Sequence, residues 1–301
     1  MCSLQPNAAL AWGRTPRRLR YRLRRLVSHA GTVVLAVVLL IWWLLPVYNM
    51  MLIALDPEGD TEFTGDIWPT APTLEAFRGV LFQRYWYLQD FWHQLGNSSF
   101  IGIVTMALTV LIASLASFAL GRMRLGKGGV ISTTALLIYM VPAYFLVIPF
   151  YLLMHGYGLI DSLWAVIAAD VTFAVPYAVL ILQWYGRLIP MELDEAARID
   201  GATPGQVYVR IYLPLMAPAL AAVGTYALLT AWNEYLYQFI LLSSPRNKTV
   251  AITLATFFDN EDTPWNYPVA ASLIYALPPI ALFFAVRRYI AAGLTLGGVK
   301  G

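Results

Sequence analysis

Two acidic residues of this sequence, Asp170 and Glu234, each interrupt a long apolar stretch. An ionised side chain in the middle of a membrane costs about 2.5–3.5 kcal/mol on insertion scales, so such a group faces a partner, a polar chamber or water. The chemistry open to the pair is hydrogen bonding to a hydroxyl-rich solute, proton exchange, or hydrogen bonding between helices. Counted at about 1.5 Å per residue along helices running in opposite directions, both acids lie about 10–12 Å from the same end, which predicts one shared polar chamber. Tyr226, Thr230, Asn233 and Tyr237 follow at i, i+4, i+7 and i+11, a single helical face of hydroxyl, amide and aromatic groups, and Tyr177 shares the face of Asp170. Rings beside hydrogen-bonding groups suit a sugar path; the same groups also join helices to one another.

A second constellation carries no reactive group. Residues 190–214 read PMELDEAARIDGATPGQVYVRIYLP and lie between two apolar stretches. Pro190 can open a helix whose first turns hold Glu192, Asp194 and Glu195, where the helix dipole favours negative charge. Gly201 ends it, because glycine tolerates left-handed backbone. Thr203 and Pro204 then start a second helix, as N-cap and first residue. Pro214 and Pro218 mark the bend into the next apolar stretch. The spacing predicts a short, stiff helix–turn–helix, with Ala196 and Ala197 as a small flat face that another protein can approach closely.

Other patterns carry less. Gly121 to Lys127 has the G-x-x-x-x-G-K spacing of a phosphate loop, but Gly128 stands where a Ser or Thr would hold magnesium, and no strand precedes it. It reads as a basic turn, so any ATP hydrolysis belongs to another chain. His29, His93 and His155 are scattered and Cys2 is alone, which gives no metal-ligand spacing and no disulfide. No nucleophile–base pair or dinucleotide fingerprint occurs, so the expectation is a protein that is not an enzyme.

The elements that position these residues follow from composition. The chain has 301 residues, 59% hydrophobic and 12% charged, where soluble domains carry about 25% charged. Six stretches approach the ~20 apolar residues that cross a bilayer: 31–55, 98–120, 130–153, 163–185, 219–242 and 269–286. The last carries Pro278-Pro279 and is expected to tilt or kink. The first is too long for a signal peptide and lacks a cleavage site, so it reads as an uncleaved span. With six spans, sixteen of the twenty Lys and Arg fall on the side of the termini, and only Arg78, Arg84, Arg246 and Lys248 on the other. The positive-inside rule then places both termini and the 190–214 loop in the cytoplasm. Residues 1–30 read as a basic tail in which Leu19, Leu23 and Leu26 alternate with arginines, an amphipathic helix for anionic membrane lipid rather than nucleic acid. Residues 31–301 form the membrane domain. The outer segment 56–97 is acidic and aromatic, suited to capping the bundle, meeting an external partner or anchoring in the interface. The expected fold is an all-α membrane protein of six transmembrane helices with a cytoplasmic helix–turn–helix loop.

Three stretches together carry a resemblance. The first is Glu195-Ala196-Ala197, Gly201 and then Ile211, Leu213 and Pro214. The second is Ala231-Trp232-Asn233-Glu234-Tyr235 with Leu241 to Pro245 and Asn247-Lys248-Thr249. The third is the glycine-rich ending GLTLGGVKG. The chain resembles the carbohydrate ABC importer permeases of the maltose-system class, over about residues 30–301. The resemblance implies a type I importer membrane domain in a bacterial inner membrane, paired with a second, usually non-identical permease. It implies two cytoplasmic ATPases that bind ATP and Mg, this chain itself needing no cofactor, and an extracytoplasmic solute-binding protein. Glu195, Ala196, Ala197, Gly201, Ile211, Leu213 and Pro214 would couple to the ATPase. The cargo class stays open among saccharides, polyols and glycerol phosphate. A proton-coupled secondary carrier titrating Asp170 and Glu234 is the alternative, and it leaves the 190–214 loop unexplained.

Overall fold

The computed structural model describes residues 15–57, 67–69, 71–123, 141–257 and 264–296. The acidic run at 58–66, most of the basic turn after Gly121, the first half of the expected third span and the final glycine-rich residues lie outside that set, as do residues 1–14. Among the described residues every regular element is helical. The helices are α1 (Thr15–Leu55), α2 (Glu75–Leu81), α3 (Phe91–Arg122), α4 (Val147–Gly156), α5 (Leu163–Gly186), α6 (Glu192–Ile199), α7 (Pro204–Val207), α8 (Leu213–Asn233), α9 (Leu236–Leu241), α10 (Val250–Phe257), α11 (Asn266–Tyr275) and α12 (Leu277–Leu296).

Five runs are long and apolar enough to cross a membrane: Ser28–Leu55, Phe91–Arg122, Leu163–Gly186, Pro204–Asn233 and Asn266–Tyr289. Of the expected third span, the described part is the shorter apolar helix Ala143–Gly156.

The centre is a three-helix packing of α3, α5 and α8, with α12 laid against α8. Small residues let the backbones approach, as is usual where apolar surface alone gives little drive for association. A Cβ at Gly224 would meet Val110 Cγ2 at 3.2 Å, and one at Gly102 would meet Trp232 at 3.4 Å. One buried cluster, around Ile101, Met154, Val166, Ala231 and Leu241, fills one end of the core. Another, around Phe118, Leu182, Tyr212 and Met216, fills the other. A third cluster joins the last turn of α1 to α2, α10 and α11 through Ala54, Val80, Phe91 and Ala270.

Two expectations need correction. The fifth stretch does not run unbroken to residue 242; its helix starts at Pro204 and stops at Glu234, whose backbone is extended (φ −71°, ψ 130°) before α9 begins. The sixth stretch begins earlier, at Asn266, and is interrupted at Ala276, just ahead of Pro278-Pro279. Helix α1 is continuous through residue 30, from the end of the basic segment into the first span. From Val33 to Val47 the apolar side chains of α1 point away from the rest of the chain; Trp42 and Trp43 are 74% and 77% exposed.

Candidate functional site: an anchored loop and an acidic cleft

The 190–214 loop is built from local rules. Helix α6 holds Glu192, Asp194 and Glu195 in its first turn. It ends in two reverse bonds, Gly201 N–H to Arg198 O (3.1 Å) and Ala202 N–H to Ala197 O (2.9 Å). This is the paired pattern of a glycine-terminated helix, and Gly201 takes the left-handed backbone that pattern requires, with φ +85°. Thr203 then forms a reciprocal capping box with Gln206 (3.4 and 2.8 Å).

The second arm differs from expectation. Helix α7 is four residues long and passes through a π-turn at Tyr208–Tyr212 directly into α8. Ile211, Leu213 and Pro214 therefore belong to the start of a spanning helix and not to a separate hairpin arm. Glu195, Ala196 and Gly201 are exposed, whereas Ala197 is half-buried and packs on the bundle. The two alanines do not form one free face. Ile199, at 86% exposure, is the large apolar residue that the loop offers outward.

What holds the loop is a buried ion pair. Arg122, the last residue of α3, is 3% exposed, and Asp194 of α6 is 2% exposed. Arg122 Nη1 lies 3.4 Å from Asp194 Oδ2. Its Nη2 donates to Gly186 O and Ile189 O, both at 3.0 Å, and so caps the end of α5. Its guanidinium stands 6.0 Å from the Tyr212 ring centre. The π-turn is tied to the same helix: the Tyr208 hydroxyl bonds Ser114 Oγ (2.8 Å) and the Tyr212 hydroxyl bonds Ser117 Oγ (2.9 Å). Loop, α3 and α5 are thus one mechanical unit.

At the other end of the core, Asp170 and Glu234 line one cleft of about 430 Å³ with Tyr144, Phe173, Tyr226, Thr230, Asn233 and Tyr237. Six of the seven residues expected on a solute path meet here; the seventh, Tyr177, packs against Tyr226 with the rings tilted by 41° and their centres 4.4 Å apart. They meet although the helix breaks, so Tyr237 arrives from α9 instead of continuing the α8 face. Glu234 is the cause of that break. Its Oε1 accepts the Tyr237 N–H (2.8 Å) and its Oε2 the Gln238 N–H (3.0 Å), which caps α9. Asp170 is buried, and its Oδ2 has no hydrogen-bond partner among the described residues.

The family model described as "Binding-protein-dependent transport system inner membrane component" matches residues 113–296, a stretch that contains the loop and nearly every residue above. This chain belongs to that family. The diacetylchitobiose uptake system permease protein DasC of Streptomyces coelicolor is 32% identical over 92% of this chain and 99% of its own length. The trehalose transport system permease protein SugB of Mycobacterium tuberculosis is 31% identical over 86% and 93%. A bacterial ABC transporter that imports the acidic polysaccharide alginate shares the fold, with a TM-score of 0.71 at 20% identity over 89% of this chain and 98% of that one. The chain is accordingly a multi-pass membrane component of binding-protein-dependent transport.

Two features of this transport component escape sequence reasoning. Arg122 counts there as one more surface charge, and nothing local links it to Asp194. Asp161 is the other. It sits at φ +59° between α4 and α5, and its Oδ1 accepts the N–H groups of Ser243 and Ser244, both at 2.9 Å. Desolvation pushes its carboxyl up, but the bonds from Ser244 and Ser243 outweigh that and hold it below the usual aspartate value. Asp161 thereby pins the loop after α9, with Asn247 Nδ2 donating to its carbonyl at 2.5 Å.

Proposed function

We propose that this chain is a permease subunit of an ATP-driven, binding-protein-dependent importer for a sugar or related polyol. It forms half of a translocation path with a second permease, crosses the inner membrane six times and keeps both termini in the cytoplasm. An extracytoplasmic binding protein delivers the solute. Residues 190–214 dock on one of two cytoplasmic ATPases, which bind ATP and Mg. Closure of the ATPases pushes the loop, and the push reaches α3 and α5 through Arg122 and the π-turn. The cleft at Asp170 and Glu234 is this subunit's share of the solute path.

The observation that carries the reading is the loop itself: capped at its glycine turn and second helix, exposed at Glu195, Ala196 and Gly201, and anchored by a buried ion pair. The sugar assignment is supported by relatives whose names specify diacetylchitobiose and trehalose. The test is purification through a tag on this chain, followed by reconstitution. A co-purifying ATPase and uptake that stops without ATP are expected. Uptake sustained by a proton gradient with no ATPase present refutes the proposal.

A further inference from the structure

The polar groups around the cleft are unevenly used. Thr230 Oγ1 donates to Tyr226 O (2.9 Å), Asn233 Nδ2 to Leu229 O (2.8 Å) and the Tyr237 hydroxyl to Ala143 O (2.7 Å). The N-terminus of α9 would ordinarily offer its free N–H groups to an anion. Here the Glu234 carboxylate already takes those of Tyr237 and Gln238. Most of the side-chain and backbone donors at the wall are therefore consumed internally, and the second Asn233 N–H and the Tyr144 hydroxyl are left.

The rest is acceptor. Asp170 Oδ2 is buried without a partner, and Asn233 Oδ1, Thr230 Oγ1 and the Glu234 carboxylate keep lone pairs. No Lys, Arg or His is among the described residues that line the cleft. The rings of Tyr144, Phe173, Tyr226 and Tyr237 complete the wall. Such rings accept the apolar faces of a pyranose or, face-on, a cation.

From this inventory we infer that the cleft selects a solute that donates hydrogen bonds and carries no negative charge. Its substrate class is a neutral saccharide or polyol, or an amino sugar, and it discriminates against uronates and sugar phosphates. The inference rests on the reading of the cleft as solute path and adds the sign of charge that the path accepts. A carboxylate brought beside Asp170 and Glu234 meets two acidic groups and no cation among the described residues to receive it, which is how sites reject a competitor.

The test uses the full chain, purified with its accompanying subunits into lipid nanodiscs, and three probes of one ring size: glucose, glucosamine and glucuronate. Saturation-transfer NMR reads binding to the membrane complex at slightly acidic pH, where glucosamine is cationic. Glucose and glucosamine are expected to bind, with glucuronate at least about tenfold weaker, as about 1.4 kcal/mol of repulsion gives. Asp170→Asn replaces an acidic group by an amide that can donate, so it is expected to raise glucuronate binding, a gain that misfolding cannot mimic. Equal binding of all three probes overturns the inference while ATP-driven uptake still stands. Silence from all three overturns it together with the path reading of the cleft.

Discussion

Replacing Arg122 by methionine removes the guanidinium but keeps most of the aliphatic bulk. Asp194, 2% exposed, would then be a buried carboxylate with no ion-pair partner among the described residues. Breaking a buried pair from one side costs about 3–5 kcal/mol. The carbonyls of Gly186 and Ile189, each held at 3.0 Å, lose their donor as well, and a buried acceptor left unsatisfied costs about 1–3 kcal/mol. Asp194→Asn is milder, because Arg122 keeps its bonds to both carbonyls. The two changes are therefore unequal, with the arginine change the larger by about 2 kcal/mol from the carbonyl contribution alone. The assay is hydrogen exchange across residues 190–202 in the purified complex, with the double variant Arg122→Met/Asp194→Leu closing the cycle. A local loss near 3 kcal/mol speeds exchange by roughly a hundredfold. The double variant recovers part of the loss because the uncompensated charge is gone. Strictly additive variants, or equal effects from both single changes, would refute the clamp.

Gly201→Val is expected to cost about 1–3 kcal/mol from backbone strain alone, because φ is +85° and nothing within 4 Å obstructs a Cβ; solute moved per ATP hydrolysed should fall while membrane insertion persists, and unchanged coupling counts against the docking role. Glu234→Ala removes the cap of α9 and should lower thermal stability by about 0.5–2 kcal/mol; a drop in solute binding with an unchanged melting temperature would contradict the capping role drawn from its two N–H bonds. Asp161 contributes stability above its unfolded pKa of about 3.9 and loses it as pH falls through its depressed folded value. Asp161→Asn should accordingly flatten the acid limb of the stability–pH curve, and an unaltered limb measured by melting between weakly acidic and strongly acidic buffers removes Asp161 from that role.

Five of the six expected spans were legible because length and hydropathy are averages over many residues, and averages tolerate local error. The caps at Gly201 and Thr203 were legible for the opposite reason: each follows from one residue and its immediate neighbours. The break at Glu234 was not, because a window that averages hydropathy across residues 219–242 does not register one extended residue whose carboxylate starts a new helix. The residues expected on a solute path still converged, since a break of two residues displaces Tyr237 without removing it from the cleft. The Arg122–Asp194 pair was illegible because both members look like ordinary loop-flanking charges, and only the packing of α3 beside α5 brings them together.

The π-turn at Tyr208–Tyr212 sets a heading. Such a turn holds one residue more than an α-turn, and each residue of an α-helix advances the azimuth by about 100°. Everything upstream of Tyr208 is therefore swung through roughly that angle relative to an unwidened helix. The compass bearing of Glu195 and Ile199 therefore depends on how many residues separate Gly201 from Ile211.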